Sequence, residues 1–367
     1  MIQNKGYKIW TDDVEPSAMA QIINVSQLPF LFKHMAVMPD VHMGYGMPIG
    51  GVLATENVII PNAVGVDIGC GMAFAETIIE AASLNVSECI ADIMGKIPVG
   101  FKHRDRGYVI PTPPEEEMNI ELHHACFPAA EYQMGTLGGG NHFIELQVNE
   151  AGRLCVMIHS GSRNIGKQVC DYYNRMAKEL NAKWYSRVPE EFDLAFLPVD
   201  HVTGQEYLEY MNYCVRFAKM NRETMMKIVL NTILGTDADI LDCKHNFARQ
   251  ENHFGKNVWV HRKGAVHASG KVIIPGAMGS YSYICEGLEN PMSFNSCSHG
   301  AGRIMSRKKA KETLRVGELD FVLGKHDLSD AAEEVKEAYK DIDAVLANEQ
   351  DLVKPIMKLK TLGVVKG

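Results

Sequence analysis

An α+β fold is what this 367-residue sequence predicts, and three observations predict it. Strand-like segments gather in blocks, before residue 61, around 142–159 and again from Asn257, without the regular alternation of strand and helix that a parallel βαβ sheet requires. His142–Val148 and Arg153–His159 read as alternating strands around the turn-forming Asn149-Glu-Ala-Gly152. Two long stretches, 166–185 and from 203 to about 235, carry the pattern of helices. We expect a single domain over residues 1–367, with mixed β-sheets and surrounding helices.

Taken in order, Gln27 to Pro61 reads as short apolar strands broken by Gly and Pro, including Pro48-Ile-Gly-Gly-Val-Leu-Ala54. Ala81 to about Gly95 reads as a short helix. Between Val99 and Pro128 the composition turns polar, with Pro111-Thr-Pro-Pro114 followed by three glutamates, so residues 100–130 are expected as a surface excursion. A hairpin turn centred between Glu150 and Ala151 sets His142 directly opposite His159, at a cross-strand Cβ separation of roughly 4.5–5.5 Å. A helix follows over Gly166–Tyr185. The next opens at Thr203-Gly-Gln-Glu206, read as a capping box, and runs through Leu208, Met211, Val215 and Ala218 to near Gly235. Its methionines read as packing. Strands resume from Asn257, and a last helix is expected over Asp330–Gln350, ahead of the tail Leu362–Gly367.

Hydrophobic content of 46% and charged content of 22% are those of a globular protein that buries a sizeable core. The formal net charge of −8 excludes a global basic field, so any phosphate or RNA must be met by local cations. Nine scattered cysteines, an odd count without a CxxC pair, argue against a disulfide framework and for a reducing cytoplasm. Neither a signal-peptide pattern nor a run of eighteen apolar residues is present, so no membrane is expected as partner.

Chemistry concentrates in glycine-rich contexts. Asn62-Ala-Val-Gly-Val-Asp-Ile-Gly-Cys-Gly71 sets Asp67 and Cys70 three residues apart. His142 follows Gly138-Gly-Gly-Asn141, His159 precedes Ser160-Gly-Ser-Arg163, His245 precedes Asn246, and His299 lies in Ser296-Cys-Ser-His-Gly-Ala-Gly-Arg303. A lone histidine is usually structural, but loop histidines flanked by glycine are hard to explain as packing. Asp67, Cys70, His142, His159 and His245 together can hold two divalent ions bridged by the Cys70 thiolate. Arg163, Arg262, Lys263, Arg303 and Arg307 flank the same loops as a cationic set, and Arg163, Arg303 and Arg307, beside glycine-rich loops and histidines, suit phosphate. Lys308, Lys309 and Lys311 read as a solvated helix face. Metals beside arginines suggest phosphoryl or nucleotidyl transfer. No Walker loop, strand-borne GxGxxG, GxSxG or HExxH occurs, which leaves His299 as the candidate nucleophile or as one more metal ligand.

These residues resemble the RtcB RNA ligases, the tRNA-splicing ligases. The resemblance rests on Met38-Pro-Asp-Val-His42 with Gly44-Tyr-Gly46, Val64-Gly-Val-Asp-Ile-Gly-Cys-Gly71, Gly140-Asn-His-Phe-Ile-Glu145, His159-Ser-Gly-Ser-Arg163, His245-Asn246, Arg262-Lys-Gly-Ala265, His299-Gly-Ala-Gly-Arg303 with Met305-Ser-Arg307, Ala338-Tyr-Lys-Asp-Ile-Asp343 and the terminal Val-Lys-Gly, all in family order. It implies an RtcB-type domain with a metal-lined cleft. It also implies an activity, GTP- and Mn2+-dependent joining of RNA 3′-phosphate or 2′,3′-cyclic phosphate ends to 5′-hydroxyl ends in RNA repair or tRNA splicing. By resemblance, His299 carries GMP as a covalent guanylate, and Asp67, Cys70, His142, His159 and His245 hold two Mn2+ ions. Asn141 contacts the triphosphate, while Glu145, Ser282, Tyr339 and Lys366 form the guanosine pocket. Arg163, Lys263, Arg303 and Arg307 hold RNA or transferring phosphates. RNA is the implied partner, with an activating protein as a further candidate. Three departures stand out: Ala277 replaces the family's serine in Pro275-Gly-Ala-Met-Gly279, the segment 316–337 is unlike the usual sequence, and the stretch between Cys70 and His142 is short. Two other readings stay open. One is a two-metal phosphodiesterase or a guanylyltransferase that caps 3′-phosphate ends without sealing; the other is a non-catalytic RNA-binding relative.

Overall fold

The computed structural model describes residues 2–4, 6–315, 317, 319–324 and 334–367. Among these, two large mixed sheets pack face to face, with helices covering their outer faces, and the fold is α+β. The smaller sheet runs Ile2–Asn4, Tyr7–Ile9, Leu31–His42, Ile49–Thr55, Lys256–Lys263, Asn246–His253. The larger runs Leu241–Lys244, Gly71–Glu80, Arg153–Ser160, Phe143–Asn149, Val353–Lys366, Ser282–Leu288, Ser269–Ile274, with Val322–Gly324 parallel to the C-terminal strand.

Strand alternation sorts the apolar residues between layers. Ala36, Met38, Val52 and Ala54 of the smaller sheet meet Met72, Phe74, Met157 and Ile284 of the larger in one buried cluster. Their neighbours Met35, Val37 and Leu53 face outward onto Ala18, Ile22 and Val25 of the helix Pro16–Ser26. On the far side, Ile144, Leu146, Val156 and Ile158 meet Ile90 and Ile93 of the helix Val86–Lys96, together with Met225 and Met226. That short helix is started by the Asn85 side chain, which accepts from the Glu88 amide.

The hairpin exists, but its register is one residue from the expected one. Phe143, not His142, pairs with His159. The loop holds three residues, Glu150 to Gly152, and Gly152 takes φ +76°, the left-handed position of a three-residue hairpin. The Asn149 side chain fixes it by accepting from the Ala151 and Arg153 amides at 3.0 and 2.9 Å. The expected helix at 166–185 runs Asn164–Lys183. The following helix runs Val202–Lys227 and passes into a π-helical turn, Ile228–Ile233. Its cap is His201, whose Nδ1 accepts from the Thr203 amide, so Thr203 lies inside the first turn and the capping box does not form. Met211, Met225 and Met226 are buried, as packing predicts.

Leu241–Lys244 and Asn246–His253 are strands ahead of the expected Asn257. The excursion over 100–130 holds mostly exposed, irregular backbone, with a short helix Ile120–Cys126 anchored by buried Leu122 and Cys126. Of the helix expected over Asp330–Gln350, positions 330–333 lie outside the described residues. The remainder is a 3-10 turn, Lys336–Ala338, and a helix of only seven residues, Ile342–Asn348. In the divergent stretch 316–337, positions 316, 318 and 325–333 likewise lie outside them.

Candidate active site

The site forms where strands of both sheets end in glycine-rich loops. His159 lies near the end of Arg153–Ser160, His142 just before Phe143–Asn149, and Cys70 just before Gly71–Glu80. Standing one residue outside the ladder, His142 escapes the strict alternation that would turn it from His159. Its Nε2 comes 3.6 Å from Cys70 Sγ and 3.1 Å from Asp67 Oδ2, and His159 Nε2 lies 3.2 Å from the same sulfur. The ligand atoms of Cys70, His142 and His159 all lie within 4.8 Å of one another. His245 extends the row, its ring 5.2 Å from His159 and 4.8 Å from His299. Only glycine fits at position 161, because a Cβ there would overlap the Asp67 carboxylate.

The residues present fit a divalent cation. His142 Nδ1 donates to the Leu137 carbonyl at 3.0 Å and His159 Nδ1 to the Asn141 carbonyl at 3.1 Å, which leaves each Nε2 lone pair facing thiol or carboxylate. His142 Nε2 and the Asp67 oxygen, 3.1 Å apart, are satisfied either by a proton on Nε2, which makes His142 a cation, or by a metal ion that takes the proton's place. Burial, then neighbouring histidines, holds His159 and His245 well below the usual imidazole range, so both are neutral donors. Burial raises the Asp67 carboxyl, but the hydrogen bond and charge of His142 outweigh it and bring it to about 2. Burial and the Asp67 charge push the Cys70 thiol up; a bound cation would reverse that balance.

Beside this cluster opens a cavity of about 700 Å3, lined by Asp67, Cys70, His159, His245, His299, Asn141, Glu145, Tyr339, Lys366, Lys263, Arg303 and Arg307 among others. Thus twelve of the fifteen residues singled out in the sequence share one cavity wall. His142 lies behind it, buried.

The remaining two are engaged elsewhere. Arg163 holds Thr136 Oγ1 at 3.1 Å and the Gly100 carbonyl at 3.2 Å, at φ +61°, ψ −151°, a region costly for any side chain. Ser282 is buried, its hydroxyl accepting from the Gly276 amide at 3.2 Å and so supporting the Pro275–Ala277 lining of the cavity. Arg262 is not part of the cationic set. It is fully buried and paired with Glu251. Lys263 reaches the cavity, yet its ammonium is spent on the Tyr45 and Asn62 carbonyls, and burial lowers it to about 8. Lys308, Lys309 and Lys311 are exposed.

Three further residues support the site without having been singled out, although Asp40 and Asn246 stand inside the motifs Met38-Pro-Asp-Val-His42 and His245-Asn246. Asp40, fully buried, accepts from His299 Nδ1 at 2.6 Å and from the His299 amide at 3.0 Å. Nδ1 is thereby tied up and Nε2 remains available to the cavity. Glu334 collects Arg303 (3.3 Å), the Tyr339 hydroxyl (2.5 Å) and Lys366 (3.5 Å). Asn246 holds the Asp67 loop, donating to the Asp67 carbonyl at 3.0 Å and accepting from the Gly264 amide at 2.8 Å. Glu145, buried, accepts from Gln147 and from the Thr361 hydroxyl, while burial pushes it up to about 7.

The sequence matches the family model described as tRNA-splicing ligase RtcB over residues 21–126 and 119–367. It is 38% identical to the RNA-splicing ligase RtcB of Escherichia coli strain K12, over 100% of this chain and 98% of that protein. It is 31% identical to the tRNA-splicing ligase RtcB of Methanococcus maripaludis, over 97% and 92%. An ordered series of short motifs, one cavity that gathers them and full-length similarity to these ligases lead to one assignment: the chain belongs to the RtcB family.

Proposed function

We propose that this protein is an RNA ligase that uses GTP to join RNA 3′-phosphate ends to 5′-hydroxyl ends through a guanylylated His299. The observation that carries the reading is His299 itself: a histidine oriented by a buried aspartate through Nδ1, in a cavity wall, one ring away from a Cys/His cluster. With Nδ1 donating to Asp40, Nε2 is left to act as the nucleophile. Nε2 attacks the α-phosphorus of GTP; the bond to the β-phosphate oxygen breaks and pyrophosphate leaves. An oxygen of the RNA 3′-phosphate next attacks the phosphorus on His299, the N–P bond breaks, and GMP is transferred. The 5′-hydroxyl then attacks the activated 3′-phosphorus and GMP leaves; a 2′,3′-cyclic phosphate is hydrolysed to the 3′-phosphate first.

Asp67, Cys70, His142, His159 and His245 are the residues that would hold two Mn2+ ions, which when bound supply positive charge at the reacting phosphates. Around the nucleotide, Asn141 would meet the triphosphate and Glu145, Tyr339 and Lys366 the guanosine, with Ser282 supporting the adjoining loop. Arg303, Arg307, Lys263 and Arg163 would face or brace the phosphates. The names of the family relatives support RNA ligation as the reaction, and nine free cysteines suit a reducing cytoplasm.

Incubation with Mn2+ and α-32P-GTP, followed by a denaturing gel, tests the covalent step. Wild type should retain acid-labile label, and His299→Ala should bind the metal, by calorimetry, while retaining none. Equal labelling of both proteins would remove His299 as nucleophile. Label without joining of 5′-hydroxyl RNA would favour a guanylyltransferase that caps ends.

A further inference from the structure

The geometry points to Phe101, with Lys102 and Arg106, as a stacking platform for single-stranded RNA entering the cleft. This rests on the RNA-ligase reading above and gives its substrate a route. Phe101 is wholly exposed, at 102%. A single exposed apolar side chain is ordinary, so exposure alone decides nothing. Its position does. The segment Pro98–Gly100 lies along the loop that supplies Asn141 and His142: the Leu137 amide donates to the Pro98 carbonyl at 2.9 Å and the Gly100 amide to the Gly138 carbonyl at 2.8 Å. Arg163 clamps the same place through the Gly100 carbonyl at 3.2 Å. On the cavity side of this loop, Arg307 packs so close to Gly140 that a Cβ there would stand 2.7 Å from its Nη1. The backbone that carries Phe101 is therefore fastened to the loop that supplies Asn141 and His142, rather than to a distant part of the surface.

Charge favours RNA as the occupant. In a chain of net charge −8, the stretch Phe101-Lys-His-Arg-Asp-Arg106 holds three cations against one carboxylate. Arg104 is structural: it donates to the Met134 and Gly135 carbonyls at 3.2 Å or less and stacks on Tyr108 at 4.7 Å. It pins the segment. Lys102 and Arg106 are exposed, and among the described residues no hydrogen bond or ion pair engages their side chains. An exposed aromatic on anchored backbone, with uncommitted cations beside it in sequence, is an arrangement that binds single strands, bases stacking on the ring while the cations follow the phosphates. A protein partner would want a broader apolar patch than Phe101, Tyr108 and Val109 provide.

The test uses the full chain and a 3′-phosphorylated, fluorescently labelled single-stranded RNA ten-mer, with Phe101→Ala, Phe101→Trp and Lys102→Ala/Arg106→Ala. By anisotropy, Phe101→Ala should weaken RNA binding roughly ten-fold, Phe101→Trp should restore it, and the lysine–arginine pair should flatten its salt dependence. In sealing assays Phe101→Ala should raise KM for RNA. Guanylylation without RNA, which does not involve Phe101, reports that each variant is folded. Equal RNA affinity in wild type and Phe101→Ala would overturn the platform, as would a Phe101→Trp protein as weak as the alanine variant. Because anisotropy needs no turnover, absent guanylylation in wild type would count against the ligase reading and leave the platform judged by binding alone.

Discussion

Behind His299 the protein buries two carboxylates with different tasks. Asp40 turns one oxygen, Oδ2, on both the amide and the imidazole of His299, the proposed nucleophile. Glu349, equally buried, accepts from the Ser298 amide at 2.9 Å, one residue earlier on the same strand end. Its Oε1 has no partner among the described residues. Burial pushes the Glu349 carboxyl up to about 8, and the Asp40 charge adds to the shift. In the unfolded chain the same group titrates near the ordinary 4.5, so folding takes up a proton. A raised carboxyl pKa means that the stability present below about 4.5 is lost progressively as pH rises towards about 8, and no more is lost above it. Glu349→Gln keeps the acceptor for Ser298 and removes the titration. Thermal melts should therefore show the variant gaining on wild type as pH is raised from 5 to 8.5, with the gap levelling off beyond. A gap that is the same at both pH values would show that Glu349 is not held protonated.

At the scale of elements, the helix Val202–Lys227 is what steadies the ligand loops. Arg222, 1% exposed, grips the Asp242 carboxylate with two nitrogens at 2.6 and 2.9 Å, and donates Nη1 to the Gly69 and Ser160 carbonyls, each at 2.9 Å. Asn221 beside it accepts from the Gly135 and Thr136 amides at 2.7 and 3.2 Å and donates to the Gly161 carbonyl at 3.3 Å. One turn thus fastens the loops carrying Cys70, His142 and Asp67's neighbour Gly161. Arg222→Met strands Asp242 and two carbonyls, and should cost about 3–5 kcal/mol in urea unfolding while weakening Mn2+ binding by calorimetry. Adding Asp242→Leu should recover part of the stability but not the metal affinity, because the Gly69 and Ser160 carbonyls stay unheld; full recovery of both would make the helix a bystander. None of this was legible in the sequence, where Arg222 is one cation in a long helix. The Cys70, His142 and His159 grouping was legible, since each sits beside a glycine-rich loop at a strand end, while His245 was marked by the Asn246 that follows it. Register was not: Asn149-Glu-Ala-Gly152 serves a two- or a three-residue loop, and Gly152 at φ +76° decides it. His201 displaced Thr203 as cap because its ring accepts from the Thr203 amide, which starts the helix two residues earlier. The role of Asp40 carries no local mark, as its partner His299 lies 259 residues away. The strand Asn246–His253 hid behind its polar run Arg-Gln-Glu-Asn, which belongs to a sheet edge.

Across the whole molecule, charge is spent before any RNA arrives. Net charge is −8, and several cations of the cleft are already committed inside the fold. Arg303 and Lys366 share Glu334, Lys263 holds two carbonyls, and Arg163 braces Gly100. Arg307 at the cavity, with Lys102 and Arg106 at the rim, are the cations best placed to meet phosphates. About three contacts to a single strand give a slope of log affinity against log salt of about −2, since each neutralised phosphate contributes roughly 0.7. Raising KCl from 50 to 200 mM should then weaken binding of a 3′-phosphorylated single strand about twenty-fold. A thousand-fold loss would mean that more cations than these three meet the strand, with the exposed Lys308, Lys309 and Lys311 beside Arg307 the nearest in sequence. A flat response would mean that stacking and the nucleotide site hold the RNA without its backbone. Between those limits, recognition on the proposed reading rests on a few local charges in a chain of net charge −8, which keeps engagement of a strand local.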